Sequence, residues 1–441
     1  MFEGQLVMKH DRNGHQISTE SEQLARDLDR FAVEFLAARN GAASIVEVAR
    51  EHPDCALAQA YAAAMTLYSQ SRVEIERTAV PLLEQASASS AGSTARESLL
   101  VDALLAWSRN DMQTALALHE RIAADWPRDL VAAKIAECLF YEAPDYRRHL
   151  RFMERIADVN ADQPAFLAMH AFALGMCRHD ERAEATARRA IELELYTPWA
   201  HHALAHLFLN QRRIDEGLAL LAELEPTWQR NTQATRSHNS WHLALLHLAN
   251  EDVDSALRIY REAIAGFEPD SVFEHVDAIS LLWRVELAGQ RRDDEWRELA
   301  PHLVERAGEQ LFPFLNAHYA YALTRAGYDE VVEDALAKLR EHAFRQTGAA
   351  ARVFRDVGVP LVTACAAFAA GEPGRCSVLL EPILPELACA GGSDAQNDLF
   401  RQTYVVGLLD CGRQTEARRR LNTRLAGHTP TPVEQGWLAR A

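Results

Sequence analysis

The feature that most constrains the fold is a helical pattern that recurs along nearly the whole chain. Apolar residues return at the period of an α-helix in segments of about 12 to 20 residues, with turn signals between the segments. Thr197-Pro198 before Trp199, for example, places a proline in a first helical turn and predicts a helix over residues 198–211. We find no apolar–polar alternation around an Asn-Gly or Asp-Gly turn and expect no β-hairpin. The sequence therefore predicts an all-α fold.

Histidines mark the period of a longer repeat. His170, His206 and His242 follow one another at intervals of 36 residues, and so do His202 and His238. A period of about 34 to 40 residues with two helices per unit, A and B, is typical of tetratricopeptide repeats, which stack because one pair cannot bury its own faces. We therefore predict a tetratricopeptide-like α-solenoid of stacked antiparallel helix pairs. N-terminal helical repeats would span residues 1–160, and repeats with a histidine-rich inner face would span 161–441 in one continuous superhelix.

Two His-x-x-x-His pairs, His202/His206 and His238/His242, form the core of this histidine ladder. Trp199 occupies the tryptophan position of the repeat consensus, and imidazoles replace the leucine and tyrosine that normally follow it. Residues four apart lie one above the other on a helix, and packed helix axes are about 8–10 Å apart. We therefore expect the four imidazoles to lie within reach of one another.

Three interpretations of the ladder remain open at this point. The histidines are packing residues that bond to backbone carbonyls, or they hold a transition metal or a haem, or they act as general acids and bases without a metal. Asp277 is the carboxylate expected to join them in catalysis, and Glu274 or Asp277 would complete or orient a metal site. The pattern is compatible with an enzyme and with a protein that only binds.

The remaining candidates for ligand binding share the face of the ladder in this repeat or a neighbouring one. They are His170, Trp199, Trp241, Glu274, Trp283, Arg284, His318 and Tyr321. Arg284 has two interpretations, an ion pair with Asp277 or a neighbouring helix, and an anchor for an anionic ligand. His201, His247 and His275 point away from the ladder, and we expect His201 to be exposed.

A glycine-rich turn near the C-terminus has two interpretations as well. Gly391-Gly392-Ser393 precedes a predicted helix. Such a segment either forms an anion-binding helix N-terminus or, more commonly, a turn with an N-cap.

Five motifs occur in a fixed order along residues 160–425, namely Trp199 to His206, His238-x-x-Trp241-His242, Asp277 to Arg284, Asn316-x-His318 and Gly391 to Asp398. In this order the chain resembles the tetratricopeptide repeat protein 38 family. The resemblance implies a helical-repeat fold and one shared constellation, but no substrate. The constellation comprises His202, His206, His238, His242, Asp277, Arg284 and His318. The chain departs from the family pattern at Asn316, Asp394 and Asn397, where members usually have Asp, His and Arg.

Charge and composition limit which partners and which cellular compartment we expect. Lysine and arginine number 46 against 63 acidic residues, a net charge of −17, and we expect no nucleic-acid partner because phosphates require a basic face. The chain has no run of about 18 apolar residues and no secretory signal, so we expect no membrane partner. Seven cysteines without a CxxC pair indicate a reducing, cytoplasmic setting. The expected partner is a small-molecule ligand or, alternatively, a peptide or protein bound on the concave face of a scaffold.

Overall fold

A computed structural model describes residues 8–89 and 92–441 of the chain and divides them between two compact units. Unit 1 comprises the described residues within Met1–Phe140, Asp145–Ala203 and Thr227–Thr232, and unit 2 comprises Tyr141–Pro144, Leu204–Pro226 and Gln233–Ala441. Both units are built from α-helices, so the predicted all-α fold is confirmed. The predicted division at residue 160 and the continuity of the superhelix stay predictions.

The helices of unit 1 are mostly short and pack against their neighbours in the chain. They are α1 Glu22–Leu36, α2 Ile45–Glu51, α3 Ala56–Leu67, α4 Arg72–Glu74, α5 Val80–Ala88, α6 Ala95–Ser108 and α7 Met112–Asp125, followed by α9 Tyr146–Arg155, α10 Ala157–Asn160, α11 Pro164–Met176 and α12 Asp180–Leu193. Consecutive helices such as α6 and α7, and α11 and α12, contact each other as the pairs of a helical repeat do. Helices α8 Leu130–Glu142 and α13 Pro198–Gln211 contribute residues to both units.

The helices of unit 2 repeat this pattern. They are α14 Ile214–Leu224, α15 Gln233–Ala249, α16 Val253–Ile259, α17 Val272–Leu287, α18 Asp293–Leu303, α19 Pro313–Arg325, α20 Asp329–Arg345, α21 Gly348–Ala351, α22 Val359–Ala369, α23 Pro373–Leu380, α24 Asp394–Asp410, α25 Gln414–Leu425 and α26 Pro432–Arg440. Helix α17 is buried on almost every side, and it packs between α15 and α19. Its position makes it the centre of the unit.

Shorter helical turns of other kinds interrupt or extend the α-helices. The 3-10 turns are Asn40–Ser44, Glu225–Arg230, Val304–Arg306 and Glu381–Ala390, and the π-helical turns are Ile75–Ala79, Tyr260–Ile264 and Arg352–Gly358. Pro382 and Pro385 explain why α23 continues as a 3-10 turn, because each proline lacks the N–H that an α-helix needs.

A small β-hairpin near the N-terminus corrects the expectation that none would form. Strands β1 Lys9–His10 and β2 Gln16–Ile17 pair antiparallel, with Lys9 opposite Ile17. The Asp11 carboxylate accepts hydrogen bonds from the backbone N–H groups of Asn13 and His15 across the turn. Gly14, which follows Asn13, has a φ of 83°, a left-handed conformation that the glycine of an Asn-Gly turn adopts readily. Strands of two residues are too short to show the alternation that a sequence search requires.

Candidate functional site

The first pair of the candidate site joins His206 of α13 to Asp394, the first residue of α24. His206 Nδ1 lies 2.8 Å from Asp394 Oδ1, and Asn210, one turn further along α13, donates to Asp394 Oδ2 at 2.7 Å. A carboxylate at the first turn of a helix is favoured by the helix dipole. Asp394 is therefore held from both sides and fixes the orientation of the His206 ring.

The second pair joins His238 of α15 to Asp277 of α17. His238 Nδ1 lies 3.0 Å from Asp277 Oδ1, and the hydroxyl of Ser237 donates to Asp277 Oδ2 at 3.4 Å. Asp277 is only 1% exposed. A buried carboxylate needs compensating partners because water no longer solvates it, and the imidazole and the hydroxyl supply them.

The two pairs meet at His242, which is fully buried. The ring centroid of His242 lies 4.5 Å from that of His206 and 5.0 Å from that of His238. Trp241 packs against two of the histidines of α15, stacked on His238 at 5.3 Å and edge-on to His242 at 4.7 Å. Unit 2 thus gathers three imidazoles, two carboxylates and an indole in one cluster, which we call the His–Asp cluster (His206, His238, Trp241, His242, Asp277 and Asp394).

The hydrogen bonds determine which ring nitrogen carries a proton. An ionised carboxylate only accepts hydrogen bonds, so Nδ1 of His206 and of His238 must be the donor. In a neutral ring the proton on Nδ1 leaves Nε2 unprotonated. In both rings Nε2 is therefore the unprotonated nitrogen, and an unprotonated ring nitrogen is the one that can accept a proton or coordinate a metal.

Arg284 lies beside this cluster on α17 and is almost fully buried. Its Nη1 donates to the carbonyl and the hydroxyl of Ser280, and its Nη2 donates to the carbonyl of Ala395 at 2.7 Å. Burial lowers the pKa of Arg284 to about 10, although Asp398 opposes the shift. Among the residues described, Arg284 forms no ion pair, so the interpretation of an ion pair with Asp277 or a neighbouring helix is wrong.

Three further candidates of unit 2 belong to its aromatic core. Trp283 stacks on Tyr321 with ring centroids 3.6 Å apart, and the Tyr321 hydroxyl donates a hydrogen bond to the Glu286 carboxylate. His318 donates through Nδ1 to the carbonyl of Phe314 at 2.8 Å, and burial lowers its pKa to about 4. Hydrogen bonds and packing within the fold therefore account for the positions of these side chains.

Glu274 serves a loop rather than the histidines. Its carboxylate accepts hydrogen bonds from the backbone N–H groups of Gly266, Phe267 and Glu268. These contacts anchor the segment that leads into α17. The carboxylate partners of His238 and His206 are instead Asp277 and Asp394.

The candidates in unit 1 lie among aromatic side chains. His202 contacts Phe172 at 5.1 Å and Trp199 at 5.8 Å between ring centroids, and Lys134 Nζ lies 3.6 Å from the centre of the Trp199 ring. His170 packs on Phe166, and burial lowers its pKa. His202 precedes His206 by one turn of α13 but belongs to unit 1, so coordination of one metal by all four predicted histidines stays a prediction.

His201 corrects the expectation that it would be exposed. It is 1% exposed, its Nδ1 accepts a hydrogen bond from Trp228 Nε1 at 3.0 Å, and burial lowers its pKa to about 4. His275, expected to point away from the ladder, hydrogen-bonds the carbonyl of Pro269 and the hydroxyl of Tyr319. His247 bonds Asp252, the residue that caps the N-terminus of α16.

Sequence reasoning missed Asp394 and Asn210 as members of the site. The available signal was the departure of Asp394 from the family pattern, together with its place directly behind the Gly-Gly-Ser turn. That turn forms a capping box, in which Ser393 accepts from the Gln396 N–H and Gln396 accepts from the Ser393 N–H. The interpretation of this segment as a turn with an N-cap is therefore confirmed.

Comparisons with known proteins agree with the fold class. No family model matches the chain. A structure of the human IFIT1 dimer with m7Gppp-AAAA has a TM-score of 0.44 and 14% identity, covering 98% of this chain and 95% of that one. The TPR domain of P58(IPK) has a TM-score of 0.23 and 10% identity, covering 79% of this chain and 97% of that one. The chain is a helical-repeat protein of the tetratricopeptide type.

From the net charge we expected no nucleic-acid partner, and that expectation is wrong. IFIT1 structures that resemble this chain are described with m7Gppp-AAAA and with PPP-AAAA. Net charge sums over a whole surface, whereas binding depends on the charges at one site. Within the described part of the chain, no helix is long and apolar enough to cross a membrane.

Proposed function

We propose that unit 2 binds a small molecule at the His–Asp cluster and transfers a proton to or from it. The single observation that carries this proposal is the pair of imidazoles, His206 and His238, that each bond a carboxylate through Nδ1 and both contact His242. We also propose that the chain is a member of the tetratricopeptide repeat protein 38 family and that it is located in the cytoplasm.

The carboxylates give each imidazole the properties of a general base. Asp277 and Asp394 hold the rings in one orientation and keep the proton on Nδ1, so that Nε2 accepts a proton from a bound molecule. The imidazolium that results is stabilised by the adjacent negative charge. An imidazole suits this role because one ring nitrogen can accept a proton while the other keeps its hydrogen bond.

A metal-binding version of the site rests on the same hydrogen bonds. Histidines that ligate metals commonly donate their other ring N–H to a carboxylate, as His206 and His238 do here. Imidazole nitrogens suit zinc, copper, nickel and iron. Elemental analysis of the purified chain distinguishes the two versions, since the metal version requires a stoichiometric ion and the acid–base version requires none.

Retention of small molecules tests the proposed site. The purified chain is dialysed against a small-molecule extract, and the retained compounds are released by heat and identified by mass spectrometry. We expect the wild type to enrich a compound that the double variant Asp277→Asn, Asp394→Asn does not, while both have the same circular dichroism spectrum.

Asp270 offers a matched control, because it also pairs with a histidine, His302 at 3.3 Å, but is 83% exposed. Asp270→Asn is expected to retain the compound. If the folded double variant enriches the same compounds as the wild type, the His–Asp cluster is not the binding site. Enrichment of peptides alone would favour the scaffold alternative.

A further inference from the structure

Arg284 is a buried cation, and among the described residues it donates hydrogen bonds only to neutral groups. The residue is 6% exposed, and its partners are the carbonyl and hydroxyl of Ser280 and the carbonyl of Ala395. Removing a charge from water costs several kcal/mol or more unless an opposite charge compensates for it. Neutral acceptors supply only part of that compensation.

The carboxylates around Arg284 are committed to other groups. Asp277 and Asp394 hold the histidines, Asp398 forms a two-oxygen pair with Arg424, and Glu286 pairs with Arg325 and Tyr321. Within the part of the chain that the structure describes, Arg284 therefore has no counter-anion of its own.

The position of Arg284 connects it to the His–Asp cluster. The Cζ atom of its guanidinium lies 5.5 Å from the ring centre of Trp241, and the same indole packs on His238 and His242. One aromatic ring thus joins the cation to the imidazoles. A molecule bound at the cluster would have a positive charge beside it.

We propose that the small molecule bound by unit 2 is an anion whose carboxylate or phosphate group pairs with Arg284, while the histidines act on another part of it. This inference rests on the proposed function and adds the chemical class of the ligand. A guanidinium has five N–H groups, and the three hydrogen bonds to Ser280 and Ala395 leave at least two of them for a ligand. Planar N–H pairs match the two oxygens of a carboxylate or a phosphate.

Thermal unfolding in the presence of simple anions tests the inference. The melting temperature of the purified chain is measured against inorganic phosphate and against acetate, with ionic strength held constant by sodium chloride. We expect a saturable rise with at least one anion, because a ligand that binds only the folded state stabilises it. The stronger response identifies a phosphate-bearing or a carboxylate-bearing ligand.

Two variants of Arg284 separate binding from packing. Arg284→Met is expected to abolish the anion response. It should leave the anion-free melting temperature unchanged or higher, because the substitution removes a buried cation that has no counter-anion to compensate for its lost solvation. Arg284→Lys keeps the charge but loses the planar donor pair, and we expect at least about tenfold weaker binding. Arg291→Met, which removes a 74% exposed arginine of the same unit, is the control and should respond like the wild type.

Three outcomes would overturn the inference. These are no saturable response of the wild type to either anion, an unchanged response in Arg284→Met, and a melting temperature in Arg284→Met several degrees below that of the wild type. If Arg284→Met does not fold, unchanged affinity in Arg284→Lys overturns it instead. The double variant Asp277→Asn, Asp394→Asn should keep the anion response. If that response holds while the double variant retains the same compounds as the wild type, the proposed function fails and the anion site stands.

Discussion

At the residue scale, the partner of a ring nitrogen decides what each histidine of this chain can do. His238 and His206 bond carboxylates, whereas His318 bonds a backbone carbonyl within its own helix. A carboxylate stabilises a protonated imidazole, whereas burial away from water favours the neutral ring. The burial of His318 and its pKa of about 4 illustrate the second case. The acid–base role that we propose for His206 and His238 therefore does not extend to His318, which packs in the core.

A double-mutant cycle on His238 and Asp277 tests the first case. His238→Leu leaves the Asp277 carboxylate buried without its imidazole, and we expect it to destabilise the fold more than His238→Leu, Asp277→Leu does. The coupling energy should be about 1–3 kcal/mol, measured by urea unfolding at pH 7. The same cycle on the exposed pair His302 and Asp270 serves as the control and should give less than about 1 kcal/mol. Equal coupling in the two cycles would contradict a buried hydrogen-bonded pair of imidazole and carboxylate.

At the element scale, the start of α24 positions Asp394. Gly391 has a φ of 101° and a ψ of 176°, a conformation that is essentially restricted to glycine. A Cβ atom there would lie 2.5 Å from the Phe312 ring. Asn397 then donates to the carbonyls of Gly391 and Ser393, which fixes the turn against the first turn of the helix. The turn, and not the helix alone, therefore places the carboxylate beside His206.

Gly391→Ala tests the role of this turn. Backbone strain and overlap with Phe312 should together lower the free energy of unfolding by about 3 kcal/mol or more. Gly412→Ala is the matched control, since Gly412 also has a positive φ but no atom lies near its added Cβ; it should cost about 1–2 kcal/mol. Urea unfolding measures both. If the two substitutions cost the same, Phe312 does not constrain the turn.

Element boundaries and element partners differ in how far the sequence predicts them. Thr197-Pro198 predicts a helix over 198–211, and α13 spans Pro198–Gln211. The prediction succeeds because capping and proline effects act within one helical turn and can be identified from neighbouring residues. The hydrogen bond between His206 and Asp394 joins residues 188 positions apart. No local pattern encodes that contact, so Asp394 was identified only as a departure from a family pattern. His201 was misjudged for the same reason, because its partner Trp228 lies on another element.

At the scale of the whole molecule, burial of neutral histidines makes the fold sensitive to acid. Burial lowers the pKa of His119, His201, His275 and His318 to about 4, and that of His149 to about 3. Above a pH of about 6.5 these groups are neutral in both states and add no pH dependence. Below it the unfolded chain takes up protons that the folded chain excludes. Each such histidine therefore lowers the free energy of unfolding by about 1.4 kcal/mol per pH unit until its folded pKa is reached.

His318→Leu is expected to shift acid unfolding to lower pH, because it removes one of these protonation sites. Circular dichroism at 222 nm, followed from pH 7 to pH 3, measures the midpoint. His428→Leu, which replaces an exposed histidine, is the control and should leave the midpoint unchanged. A midpoint that stays in place or moves to higher pH in His318→Leu would mean that His318 is not held neutral by burial.

The pairs His206–Asp394 and His238–Asp277 are the central claim, and the protonation of their rings tests it most directly. Long-range nitrogen–proton NMR spectra of histidine-labelled protein at pH 8 distinguish the two neutral tautomers. We predict that His206 and His238, assigned by substitution, are both protonated at Nδ1. Asp394→Asn should change the tautomer signal of His206 alone, and Asp277→Asn that of His238 alone. Rings protonated at Nε2 in the wild type, or signals that neither variant changes, would contradict the account.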